Sequence, residues 1–209
     1  MAVERAHEPA DTARTALATE EAATGQAAEK APERTHRRET FRWAEAPLLH
    51  ESGMMSMPVM NPQAPEQFME WVSGGGQLVK VLFGDPEAGG ISLVWSRFGP
   101  NYVLPRHSHS ADCLYYVTRG ELRMGRTVLR EGDGFFQPAD RPYTYTAGPE
   151  GVEVLEFRTS SPFDMQITES LPGWGRVLAA VRANRDQWAA DAARAAKAAD
   201  TAGAPGAEA

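Results

Sequence analysis

Through the middle of the chain, apolar and polar positions alternate with a period of two, and on either side the period lengthens. QLVKVLF (77–83), ISLVWSRF (91–98), YVLPRHSH (102–109), CLYYVTR (113–119), ELRM (121–124), TVLR (127–130), GFFQP (134–138), YTYT (143–146) and VEVLEF (152–157) read as strands. GDPEAGG, GP, HSAD, GR, EGDG, ADRP and AGPEG between them are turn compositions. Short strands at nearly even spacing predict an all-β, antiparallel sandwich or barrel. No βαβ alternation and no Gly-rich phosphate loop appears, so a doubly wound fold is excluded.

Helical spacing flanks the strands. Pro65 suits the first position of a helix, Phe68, Trp71 and Val72 follow at i, i+3 and i+4, and Ser73-Gly74-Gly75-Gly76 ends it. Past Ser160, Trp174, Val177, Leu178, Val181 and Trp188 form one apolar stripe, with Arg176, Arg182, Arg185 and Asp186 off it. Such an amphipathic helix buries its stripe against the outside of the barrel or a second subunit. From Ala189 onward it is alanine and charge and is expected to fray.

Residues 1 to about 40 almost lack large apolar side chains, so ordering them would cost more than their burial returns. The expected division is a disordered Ala/Glu/Arg-rich tail over 1–40, containing His7 and His36, and an arm with a short helix over 41–75. The barrel follows over 76–160, the C-terminal helix over 161–199 and a second disordered tail over 200–209.

The 209 residues suffice for one domain with extensions, and a net charge of −7 argues against a nucleic-acid surface or an anionic-membrane patch. No apolar run is long enough to span a bilayer. The N-terminus lacks the apolar stretch of a secretory signal. The single cysteine, Cys113, excludes an internal disulfide framework and fits a reducing compartment. The expectation is a soluble, cytoplasmic protein with no nucleic-acid or membrane partner.

Candidate chemistry gathers in PRHSHSADCLYYVTRG (105–120). On an extended chain His107 and His109 share a face. Two converging imidazoles suit a metal-ligand pair, a proton-transfer pair or a polar clamp. Cys113 and Tyr115 lie two apart on one strand face. As a cysteine in a strand, Cys113 is commonly a small buried filler, and Tyr115 is an aromatic wall with a hydroxyl hook. Tyr116, one step on, points outward. Gln137 and Glu156 are candidate oxygen donors. Arg97, on a face with Leu93 and Trp95, is a candidate partner for a substrate carboxylate. His50 is the remaining histidine near enough in sequence to be a third ligand.

These residues resemble the two motifs of the small single-domain cupins. The first runs His-X-His, an acid, then Gly; His107, His109 and Gly120 match, and Cys113 stands where the acid would be. The second runs Gly, five residues, Pro, X, Gly, two residues, His; Gly132 and Pro138 match, with Asp140 and Tyr143 replacing the second glycine and the histidine. The resemblance covers roughly 76–158. It implies a cupin β-barrel (a double-stranded β-helix, or jelly roll) with a short N-terminal helix and a C-terminal amphipathic helix, and pairing into homodimers. It also implies a lumen where a divalent transition metal is held by His107, His109 and Cys113. Thiolate with imidazole would favour zinc, iron being the other leading candidate and manganese, nickel and copper further ones. Tyr115 and Tyr143 would then move a proton or anchor a substrate. The implied activities are dioxygenation, isomerisation, cyclisation and β-elimination. The same residues also suit a metal-free pocket, or a non-catalytic one, for a small polar ligand.

Overall fold

The computed structural model describes residues 38–57 and 64–203. The tail expected over 1–40, with His7 and His36, lies almost wholly outside the described residues, as does 204–209. In chain order the elements are a 3-10 turn Leu49–Glu51, β1 Met55–Ser56, α1 Pro65–Ser73, β2 Gln77–Phe83, β3 Ser92–Phe98 and β4 Val103–Ser108. They continue with β5 Cys113–Met124, β6 Thr127–Arg130, β7 Gly134–Gln137, β8 Tyr143–Arg158, β9 Phe163–Asp164, β10 Gln166–Ile167 and α2 Leu171–Gly203.

One eight-stranded sheet curls into the barrel in the order β10-β4-β8-β3-β2, with β5 joined to β6, β7 and β8. All of its pairings are antiparallel. β1 and β9 make a small parallel pair. The alternation is visible in β3, where Ser92, Val94, Ser96 and Phe98 are buried and Leu93, Trp95 and Arg97 are partly exposed. Inward residues of β5 and β8, among them Tyr115, Val117, Val152, Val154 and Glu156, complete the wall. On the outer face Leu114 stands opposite both Phe136 and Phe157, and all three are exposed. Tyr116 points outward as well and stays exposed.

One expected turn and one expected strand break are absent. AGPEG at 147–151 lies inside β8, and the break expected at Gly120, between 113–119 and 121–124, lies inside β5. Both run on as single long strands, while GR at 125–126 does turn the chain between β5 and β6. The cause is a pair of bends, not reversals. Gly120 and Gly151 both adopt positive φ, the β5–β8 register slips on either side of Gly120, and a Cβ on Gly120 would collide with the Gly151 carbonyl. Glycine permits that close backbone approach and the added curvature.

The two helices pack together, with Arg182 of α2 chelating the Glu70 carboxylate of α1 at 2.7 Å through both Nε and Nη2. Phe68 and Trp71 of α1 are buried, while Val72 stays more exposed. The α2 stripe of Trp174, Val177, Leu178, Val181 and Trp188 is buried along its whole length. No helix among the described residues is long and apolar enough to cross a membrane.

Candidate functional site

β4, β5 and β8 bring the chemistry-bearing side chains to one wall. His107 of β4 stands directly opposite Tyr143 of β8 in register, and Tyr115 of β5 opposite Glu156. The inward side chains converge on a cavity of about 460 Å3 lined by His107, His109, Tyr115, Tyr143, Glu156 and Arg158. Trp71, Val94, Phe98, Leu104, Phe163 and Met165 supply apolar wall, and the arm adds Leu48, Leu49 and Met55 to the lining. His50 also reaches the cavity, but at the rim, with a largely exposed ring 3.9 Å from Glu51.

The two imidazole rings lie 4.9 Å apart, centre to centre, and the His107 ring lies 4.4 Å from that of Tyr143. Each ring is fixed by its Nδ1: that of His107 bonds the Pro105 carbonyl at 2.8 Å, and that of His109 bonds the Asp164 carbonyl. A carbonyl only accepts, so Nδ1 carries the proton and Nε2 is left as the acceptor nitrogen. Tyr115 and Tyr143 share a hydrogen bond between their hydroxyls, and Phe135 stacks flat on Tyr115 at 4.4 Å.

Electrostatics follow from exclusion of water. Burial, then the neighbouring His109, pushes the His107 pKa down to about 3; burial, then Arg158, pushes His109 down to about 4. Burial holds the Tyr115 and Tyr143 phenols above their ordinary value, with further upward contributions from Tyr143 on Tyr115 and from Glu156 on Tyr143. Burial likewise lifts the Cys113 thiol to about 12. The lumen therefore holds neutral rings and neutral phenols around one ion pair, Glu156 with Arg158. Burial works against the Arg158 charge, but the Glu156 carboxylate together with the surrounding Tyr115, Cys113 and Tyr143 more than offsets it, and the guanidinium stays protonated. Ser96 Oγ donates to the other Glu156 oxygen at 2.6 Å.

A pH dependence follows. An unfolded imidazole takes up its proton below about pH 6.5, whereas His107 and His109 in the fold do so only near 3 and 4. Between those limits the unfolded chain binds more protons, so stability falls as pH falls. Urea midpoints measured from pH 7 to pH 4 should decline in the wild type. They should decline less steeply in a His107→Gln/His109→Gln variant, and parallel slopes would place the rings in contact with water.

Of the residues expected from sequence, His107, His109, Tyr115, Tyr143 and Glu156 come together on the cavity wall. Cys113 does not line that cavity. It is buried, and it borders a separate cleft under Phe41, Phe83 and Leu114. Arg97 also stands elsewhere. Its face of β3 is the outer one, because Val94, Ser96 and Phe98 take the inner, and it borders a cleft beside Trp188. Gln137 is likewise off the cavity wall; its amide turns back to donate to the Arg141 carbonyl at 2.6 Å. Arg158 is the residue that sequence reasoning passed over. The signal was present, since the inward alternation Val152, Val154, Glu156 continues one step beyond VEVLEF.

A resident divalent metal does not fit these residues. The Nε2 atoms of His107 and His109 offer two donors with backbone-fixed orientation, as metal-binding histidines have. A third donor is missing: among the described residues no group of three or more His, Cys, Asp or Glu is placed to hold an ion. Glu156 is occupied by Arg158 and Ser96, and the buried guanidinium adds a fixed positive charge to the same wall. Two neutral imidazoles beside a cation make a poor cation site.

Residues 64–161 match the model of the ChrR cupin-like domain. No curated protein matches the chain. Solved structures similar to it include KdgF from Halomonas sp., at 18% identity and TM-score 0.41, covering 60% of this chain and 94% of that one. An RmlC-like cupin from Shewanella frigidimarina shows 17% identity and TM-score 0.40, covering 60% and 92%. A variant of oxalate decarboxylase from Bacillus subtilis shows 23% identity and TM-score 0.37, covering 41% and 26%, and a further structure of that decarboxylase concerns its Mn(II) centres. The barrel carried by this chain, with its antiparallel strands, its His-X-His strand and the matched segment 64–161, belongs to the cupin superfamily.

Proposed function

We propose that this cupin acts on a small molecule in its lumen by proton transfer between its own side chains, without a resident metal. The observation that carries the reading is the pairing, on one dry wall, of two backbone-anchored neutral imidazoles with a hydrogen-bonded pair of phenols. The Nε2 of His107 or His109 accepts a proton from the substrate. In the phenol pair one hydroxyl donates to the other, which leaves one O–H to donate to a substrate oxygen, strengthened by its neighbour. That combination suits a carbonyl compound passing through an enol: base on the carbon, hydrogen-bond donor on the oxygen. Isomerisation and β-elimination need no more than this. The apolar lining favours a substrate with a largely hydrocarbon body.

The test uses the full chain, treated with a chelator, in heavy water with a panel of enolisable ketones and esters. Deuterium incorporation should persist after chelation. It should fall by about 100-fold or more in His107→Gln and in Tyr143→Phe. Metal analysis of the freshly purified protein should show substoichiometric metal that does not change in a His107→Ala/His109→Ala variant. Stoichiometric metal lost on that change would overturn the metal-independent reading. Ligand binding with no exchange at all would make the barrel a binding module.

A further inference from the structure

Arg158 is 4% exposed and forms part of the cavity wall. Its Nη2 donates to Glu156, and Phe163 covers one face of the guanidinium, 4.1 Å from Cζ to the ring centre. Its Nε and Nη1 are buried and have no hydrogen-bond partner. Buried donors are nearly always matched, and those on a charged group most of all. Glu156 is itself braced by Ser96, so the guanidinium is anchored on one side and under-bonded on the other. Beside this ion pair, the imidazoles, the phenols, Ser96 and Gln77, the wall is largely apolar, with Trp71, Val94, Phe98, Leu104, Phe163 and Met165.

We propose that Arg158 anchors the carboxylate of a small molecule with an apolar body, its unmatched Nη1–H donating to a carboxylate oxygen. The inference rests on the lumen being the small-molecule site and names the class of molecule that site takes. A neutral acceptor would answer such a donor only weakly. A carboxylate brings a charge-assisted hydrogen bond and the charge complementary to a planar guanidinium. Because Glu156 already balances the charge of Arg158, recognition depends on the unmatched N–H groups more than on a net positive field. The hydrocarbon part then lies against the aromatic and methionine wall, within reach of His107 and Tyr143.

Isothermal titration of the full chain with 3-phenylpropanoate and with its uncharged amide, 3-phenylpropanamide, tests this. The carboxylate should bind the wild type about tenfold or more tightly than the amide, the margin expected of charge-assisted over neutral hydrogen bonds. Removing Arg158 alone would strand the Glu156 charge and put folding at risk. The comparison variant is therefore Glu156→Gln/Arg158→Gln, which discards both charges together, its fold verified by circular dichroism. In that variant the preference for the carboxylate should vanish. Equal affinities in the wild type, or a preference that survives in the double variant, overturn the inference and leave the lumen reading standing. Binding of neither compound overturns both.

Discussion

Glu156→Ala is expected to destabilise the fold by about 3–5 kcal/mol, the cost of leaving a buried charge without its partner. Arg158 sits 4% exposed with Glu156 as its carboxylate partner, and Ser96 would lose its acceptor in the same change. The penalty comes from the stranded guanidinium and not from loss of an especially favourable pair. It follows that Glu156→Leu/Arg158→Met, which removes both charges and retains volume, should recover most of the loss. Urea denaturation followed by circular dichroism measures both. A loss below about 1 kcal/mol for the single variant would be the behaviour of a solvated surface pair, and would mean that water reaches this end of the lumen freely.

Trp188→Ala should cost a similar amount, about 3–5 kcal/mol, as large aromatic truncations in well-packed sites do. Trp188 is 3% exposed, its ring lies 5.3 Å from that of Tyr102, and its Nε1 donates to the Pro100 carbonyl at 3.0 Å. The seat is shaped by an absent side chain: a Cβ on Gly99 would come within 2.5 Å of Trp188 Cδ1. Loss of the ring would leave a hole that neighbouring strands cannot close and would free the far part of α2. Hydrogen exchange should rise in α2 beyond Ala183 before it rises in the barrel. Uniform exchange across both would show that helix and barrel unfold as one unit.

The barrel was legible because its signal is local. Each strand buries alternate residues, so Ser92 to Phe98 or Cys113 to Val117 declare their inner face within a few positions, and the α2 stripe does the same with a helical period. The inward direction of His107 and His109 follows from that rule and needs no tertiary knowledge. What the chain does not disclose locally is which inward residue meets open space. Cys113 and Tyr115 share a face, yet only the tyrosine borders the cavity. Arg97 obeys its strand period faithfully, but the choice of which face is inner is made by Val94, Ser96 and Phe98 together with the strands beside them. Gly120 reads as a strand break and Gly151 as a turn residue because glycine marks a reversal and a bend alike, and only the cross-strand register separates the two. Arg158 escaped notice because an arginine just past a strand's last apolar residue usually lies in solvent.

Glu156 and Arg158 are separated by one residue on one strand, so the acid and the base of the lumen's ion pair form a tripeptide, Glu-Phe-Arg, written contiguously in the sequence. Other barrels of this kind can therefore be sorted by reading three letters near the end of their longest strand. Those that combine Glu-X-Arg there with tyrosine in place of the second-motif histidine should share the chemistry argued for this lumen. Those that restore the acid after His-X-His should lack the arginine, since a cation in that wall and a metal on those imidazoles would repel each other.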